Sequence, residues 1–333
     1  MAVLKSEVHC TNRVKITKIC LFVNTGVPQG SLLGPLLYIL YTKEIEEIAT
    51  KHLMKTHMYA DDCQLYISLS EDNETEAENL SMNCLSEIKS WMANNFLKLN
   101  AEKTQVKIFQ GKSSLNPNPS LLDFTVSDTI TILGVDLKDC FKFNLFISKK
   151  VRNCQYHLRN FYNIKESLDI PTRVKLVSNQ IVSTLDFCNI LFLGATDKDI
   201  RPLKLMLNKA VRFVYGVRFR EHISPYYKRM NMLSIRDRIN FKASTMAYKI
   251  FYNSAPLYLN DNFPKFKRTT QIDLRQNTGR DDLTFSEEKN PWKSMTLFSK
   301  IKAHWNSLPY DIRNCKSLTL FKSKLKSKLL SEM

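Results

Sequence analysis

The chain has 333 residues, 44% of them hydrophobic and 24% charged, which gives enough apolar content for one large domain or two ordinary ones and excludes a disordered chain. Its formal charge of +17 is unevenly placed: residues 1–140 hold 13 Lys and Arg against 17 Asp and Glu, and residues 141–333 hold 36 against 15. A polyanion partner accounts for such asymmetry, because each cation facing a phosphate releases condensed counterions; a solvated basic surface and an anionic membrane are the competing readings.

Ile16–Val23 is too short an apolar run, and lacks the cleavage region, for a secretory signal. Leu32–Tyr41 is interrupted by Gly34 and Pro35 and falls far below the roughly 20 residues of a membrane span. A soluble, intracellular protein is expected, with nucleus or cytoplasm left open. The eight cysteines, at positions 10, 20, 63, 84, 140, 154, 188 and 315, form no CxxC pair and have no His at finger-like spacing. That argues against zinc and for reduced, mostly buried thiols.

The first ordered feature is a Gly- and Pro-punctuated loop, Thr25–Ser31, followed by Pro35 in the first turn of a helix that runs through Leu36, Leu37, Leu40, Ile45 and Ile48. Met58–Ile67 reads as two short strands around Asp61 and Asp62, a hairpin with an acidic tip. The acidic stretch Glu71–Glu78 leads into a helix whose Leu80, Cys84, Ile88 and Trp91 form an apolar stripe, with Trp91 in the core. A strand Gln105–Phe109, a linker-like loop Gly111–Ser120 and a strand Thr131–Leu137 follow. From about Phe143 the periodicity is helical, with helices near 144–163, 171–192, 199–215, 232–252, 292–306 and 317–330 and a long loop over 268–290. The last helix puts Leu318, Phe321, Leu325 and Leu329 on one face and Lys322, Lys324, Lys326 and Lys328 largely elsewhere. The fold class is α+β: a mixed part over 1–140, then an almost wholly helical part over 141–333.

Two stretches carry chemistry. Neighbouring carboxylates at a hairpin tip are hard oxygen donors, and Mg²⁺ takes one or two carboxylates together with phosphate oxygens. In a two-metal site one ion activates an attacking hydroxyl and the other steadies the leaving group. Ala60 is small, so a bound phosphate ester could approach closely. The loop through Pro28, Gln29, Gly30 and Ser31 offers backbone amides and a Gln side chain to a nucleotide. Taken singly, an Asp-Asp pair is usually a solvated turn and a Gly-rich loop usually just a helix entry. The two in this order, with 27 residues from Gly34 to Asp61, are far more specific.

The stretch GVPQGSLLGPLLYILY resembles motif B of the non-LTR, LINE-type retrotransposon reverse transcriptases, and MYADDCQLYISL resembles their motif C. IKSWMANNFLKLNAEKTQVKIF is similar to motif D and TILGVDL to motif E. The basic part continues the likeness: LNKAVRFVYGV, the segment from His222 to Leu259, and AHWNSLPYDIRNCKSLTLFKSKLKSKL resemble the C-terminal segments of CR1/L2-like and Jockey-like elements. The resemblance implies an RNA-directed DNA polymerase that uses Mg²⁺, deoxynucleoside triphosphates, an RNA template and a DNA primer or target, with a palm followed by a helical thumb. It implies that Asp61 is a catalytic metal ligand and Asp62 its partner. Pro28, Gln29, Gly30, Ser31, Tyr59 and Ala60 would lie beside nucleotide and template. Lys103 would be the general acid that protonates pyrophosphate, unless it is an ordinary exposed lysine before a strand.

One departure matters. The family's third carboxylate comes from motif A, upstream of motif B, and only Glu7 is acidic before Gly26, in a context unlike that motif. The expectation is therefore a polymerase part that begins after motif A and the fingers and is inactive alone. A non-catalytic nucleic-acid-binding remnant is the alternative reading, and a module whose basic helices bind an acidic protein a third. Lys204, Lys209, Arg212, Arg236, Arg238 and Lys242 are the helical cations expected to face a nucleic acid. The aromatics Phe213, Tyr215 and Phe241 are expected in the core, and His222, which matches a family position, is read as a satisfied structural histidine rather than a ligand.

Overall fold

The computed structural model describes residues 31–68, 73–100, 102–109, 127–138, 143–252, 254–256, 259 and 296–332. The chain divides into two compact units, residues 1–130 with 138–140, and residues 131–137 with 141–333. The described residues are mostly helical with two small antiparallel sheets, an α+β fold.

In the first unit, helix α1 (Gly34–Tyr41) begins on Pro35, which needs no amide partner in the first turn. The single helix expected through Ile48 is two. Thr42 donates both its amide, at 3.0 Å, and its hydroxyl, at 2.9 Å, to the Tyr38 carbonyl, and the chain restarts as α2 (Glu44–Lys51). Such back-bonding by Thr commonly bends a helix. Strands β1 (Lys55–Tyr59) and β2 (Asp62–Tyr66) pair antiparallel, with Lys55 opposite Tyr66 and Tyr59 opposite Asp62. Helix α3 (Glu74–Asn94) closes the layer. A small core collects Ile45, Ala49, Met54, Cys84 and Ile88, with Met58, Leu65 and Trp91 packed on it. Polar ties reinforce it at the edges: Lys51 and His52 both reach the Glu87 carboxylate, at 2.9 and 2.8 Å, and the Trp91 indole donates to Glu44.

Residues 105–109 do not form the expected strand. Val106 makes an isolated bridge, its carbonyl accepting from Ser127 at 2.9 Å. The strand expected over 131–137 is a hairpin, β3 (Thr129–Ile132) and β4 (Val135–Lys138), turned by Leu133 and Gly134 at φ 46° and 79°. Two successive positive φ values define a type I′ turn, whose twist matches that of the strands.

The second unit is a helical assembly. Helix α4 (Asn144–Asn163) lies against α7 (Asp197–Tyr215), which starts with a Thr196/Asp199 capping box and ends at Gly216 with φ 69°. The helix expected over 171–192 is broken into α5 (Ile170–Leu176), a π-helical turn (Val177–Val182), α6 (Ser183–Asp186) and a 3₁₀ turn (Asn189–Phe192). Helix α8 (Ser224–Arg229) is too short for periodicity to reveal. Helix α9 (Ile235–Phe251), capped by Ser234, packs on α10 (Leu297–Asn306) and α12 (Leu318–Ser331), with the short α11 (Tyr310–Arg313) between the last two in sequence.

Its core is built on α7, where Leu203, Met206, Leu207, Ala210, Val211, Phe213 and Val214 are all buried. An aromatic cluster of Tyr248, Trp305 and Phe321 joins α9, α10 and α12, and the Tyr248 hydroxyl donates to the Cys315 carbonyl at 2.9 Å. As expected, Phe213 is core, and Tyr215 and Phe241 pack on it; Leu318 and Leu329 flank the buried Phe321 and Leu325. His222, read as a structural histidine rather than a ligand, is exposed. Among the described cysteines, Cys84, Cys154 and Cys315 are buried, Cys188 half-buried and Cys63 exposed, all as free thiols. No described helix is long and apolar enough to cross a membrane.

Candidate active site

The acidic tip follows from local rules. The Tyr59–Asp62 pair leaves Ala60 and Asp61 as a two-residue turn, and of these Ala60 alone has a positive φ, 53°. Placing a Cβ in the left-handed region costs about 1–2 kcal/mol, so the turn is held by its strands rather than by its own preference. Strand β1 is held in turn by alternation: Thr56 and Met58 face inward, while Lys55, His57 and Tyr59 are exposed. Tyr59, Ala60, Asp61 and Asp62 all open to solvent, Tyr59 at 61% exposure.

The tip is close to α1 electrostatically. Burial, and after it the Asp61 carboxylate, raise the Tyr38 phenol above its ordinary pKa. Tyr38 belongs to α1, so the acidic tip acts on this helix. Ser31, at the end of the Gly-rich loop, is half-buried, and its carbonyl accepts from Gly34 at 3.3 Å. Pro28, Gln29 and Gly30 lie outside the described residues. Lys103 is exposed in a turn where its amide donates to both the carbonyl and the side-chain oxygen of Asn100, each at 3.2 Å. Among the described residues no hydrogen bond or ion pair joins Lys103 to Asp61 or Asp62.

Asp61 and Asp62 are of the right chemistry for a hard cation that completes its shell with phosphate and water oxygens. Among the described residues no group of three or more His, Cys, Asp or Glu converges on one point.

The cations of the second unit separate into two kinds. Arg236 is spent on Asp197, at 2.7 Å, and on the Ala195 carbonyl; Arg238 forks onto Asp186. Lys204, Lys209 and Lys242 are exposed. Lys209 also lines two adjoining grooves along α4 and α7, one carrying Arg159 and Tyr162, the other Lys198 and Arg201.

Lys150 was not singled out by its sequence, yet it is buried. Its ammonium donates to the carbonyls of Thr184, at 2.9 Å, and Phe187 and lies 4.7 Å from the Phe146 ring centre. Burial pushes it down to about 8, against the pull of Cys188, Cys154 and Asp186. The signal was available: Phe146, Lys150, Cys154 and Leu158 are four apart, and the lysine sits on the apolar stripe.

Residues 4–137 match the family model described as "Reverse transcriptase (RNA-dependent DNA polymerase)". Over 232 residues the chain is 25% identical to the Drosophila melanogaster protein "Probable RNA-directed DNA polymerase from transposon BS", an alignment that takes in 66% of this chain and 25% of that protein. The chain thus spans about a quarter of the length of the curated relative it matches. No solved structure matches significantly. Over residues 4–137, the part that contains the acidic hairpin, the chain is similar to a reverse transcriptase domain.

Proposed function

We propose that this chain is part of the RNA-directed DNA polymerase of a non-LTR, LINE-type retrotransposon of the CR1/L2/Jockey-like kind, with palm residues over 1–140 and a thumb and C-terminal region over 141–333. The observation that carries this reading is the exposed Asp61–Asp62 pair at the tip of a hairpin, inside a segment similar to reverse transcriptases. Asp61 and Asp62 would hold Mg²⁺, which supplies charge neutralisation at the phosphates. Tyr59 and Ala60, with Pro28, Gln29, Gly30 and Ser31, would border nucleotide and template, and Lys103 would protonate the leaving pyrophosphate. The exposed lysines and arginines of the second unit would hold the template and primer backbones.

Two carboxylates are fewer than the two-metal reaction uses by this resemblance, so the chain by itself is inactive in our reading. The test is Mg²⁺-dependent extension of a DNA primer on an RNA template. We expect no product from the chain alone, and product when it is preceded by a motif A-bearing segment from a related transposon polymerase. Asp61→Asn should remove that product by at least 100-fold, since losing a metal ligand withdraws most of the stabilisation the ion gives. Product that survives Asp61→Asn would sink the assignment of the pair. Nucleic-acid binding without product in either form would favour a non-catalytic remnant.

A further inference from the structure

Between α7 and α8 the chain crosses an exposed loop that is nonetheless firmly organised. Arg212, in the last turn of α7, donates its guanidinium to the carbonyls of Arg218, Phe219 and Glu221, at 3.4, 2.9 and 3.0 Å. The same guanidinium lies 5.7 Å from the centre of the Phe219 ring. At the far end, the Tyr226 hydroxyl donates to the Glu221 carboxylate at 2.6 Å, and Tyr226 packs on Tyr215. Gly216 starts the loop in a left-handed turn. This order leaves the phenylalanine in solvent: Phe219 is 86% exposed, between exposed Arg218 and Arg220. A phenylalanine left in water forfeits the stabilisation that burial gives, so a loop that fixes one outward presents it to something.

The surroundings say what kind of ligand it fits. The Lys165 ammonium lies next to Gly216, 3.9 Å from where a Cβ would stand, and 5.9 Å from the Tyr162 ring. Tyr162 opens onto the groove with Arg159 and Lys209, and that groove adjoins the one with Lys198 and Arg201. A run of cations thus follows α7, a helix of 19 residues and so about 28 Å, to the aromatic tip. Cations in a row bind phosphates, and an exposed ring at their end binds the face of an unpaired base, the two elements of single-strand recognition. A duplex offers no free base face, and an acidic protein would need the cations but not the ring.

We propose that Phe219 is a stacking platform for an unpaired base of a single-stranded nucleic acid, whose neighbouring phosphates are held by Arg218, Arg220 and the cations along α4 and α7. This rests on nucleic-acid binding by the second unit, and the test separates the two. The full chain, Phe219→Ala and Phe219→Trp are titrated with a single-stranded oligoribonucleotide containing 2-aminopurine and with a blunt duplex of the same length, at several salt concentrations. Phe219→Ala should weaken single-strand binding by about 5- to 100-fold, the usual loss of one stacked base, with the salt slope unchanged and duplex affinity within about twofold. Phe219→Trp should bind as the unaltered chain does, and both should quench 2-aminopurine where the Ala variant does not. Equal single-strand affinity in Phe219→Ala, or an equal loss on duplex, overturns the platform while leaving nucleic-acid binding intact. If the unaltered chain binds neither oligonucleotide at low salt, the reading of the second unit fails and the platform with it.

Discussion

Asp61, Lys150 and Phe219 show three ways in which one residue can depart from the bulk preference of its type. The two carboxylates sit in water, where acids are at ease, and what is unusual is the backbone: Ala60 takes a left-handed conformation to aim them. Phe219 is an apolar side chain held out of the core. Lys150 is the reverse, a cation inside, with backbone carbonyls and aromatic faces in place of water. Its pH behaviour follows. With the folded value near 8 and the unfolded value near 10.5, the unfolded chain binds more protons between them, so stability contributed at this site rises as pH goes from 8 to 10.5. Lys150→Met removes the titration but leaves the Thr184 and Phe187 carbonyls without their donor, at a cost of about 1–3 kcal/mol. In urea unfolding of the second unit, the stability gap between the natural chain and Lys150→Met should widen from pH 7 to pH 10 by the order of 1–3 kcal/mol. Tyrosines and cysteines away from this site are common to both proteins and cancel; Cys154 and Cys188, whose thiols the ammonium pulls down, are replaced by Ala in both. A gap independent of pH would mean that the buried ammonium is not destabilised.

At the scale of elements, regular periodicity was legible and its interruptions were not. The stripes of α3, α4, α7, α9 and α12 place those helices close to where they are found, because burying a helix requires the repeat that reveals it. The acidic hairpin was legible from composition, with strand-forming Tyr, Leu and Ile on either side of the two acids. The break at Thr42 and the π-helical turn at Val177–Val182 leave the apolar pattern intact and alter only backbone bonding, so composition does not betray them. Side-chain partnerships were equally silent: nothing local distinguishes Arg236 and Arg238, which are spent on acids, from Lys204 and Lys242, which are exposed. The β3–β4 turn was within reach, since a glycine between alternating apolar residues marks a hairpin. It also makes a sharp prediction. At Gly134, with φ 79°, an added Cβ would meet only the Phe187 ring at an ordinary 3.7 Å, so Gly134→Ala should cost about 1–2 kcal/mol through backbone strain alone. Leu133→Asn, at φ 46°, should stabilise by up to about 1 kcal/mol, because Asn-Gly is the favoured pair for this turn. Opposite shifts in unfolding temperature for the two neighbours would support the turn type; shifts of the same sign would contradict it.

For the whole molecule the governing fact is the separation of charge, 13 cations against 17 anions before residue 141 and 36 against 15 after it. The structure sorts those cations, which the sequence could not do. On α12, Lys328 pairs with Glu332 at 3.1 Å, Lys322 and Lys326 are half-buried, and burial together with Arg238 lowers the Lys326 pKa. Along α4 and α7, by contrast, Lys198, Arg201 and Lys209 are exposed and line adjoining grooves. Binding of the full chain to single-stranded RNA should therefore weaken steeply with salt, because counterion release drives it. Neutralising Lys198, Arg201 and Lys209 to Gln together should reduce the slope of log affinity against log salt by about 2, at roughly 0.7 per phosphate contact on a single strand. Neutralising Lys322, Lys324, Lys326 and Lys328 together, although it removes one charge more, should change the slope by less than about 1, since of the four only Lys324 is exposed. That ordering discriminates between a localised track and a diffuse positive field. A diffuse field answers to net charge alone, and the α12 quartet would then have the larger effect.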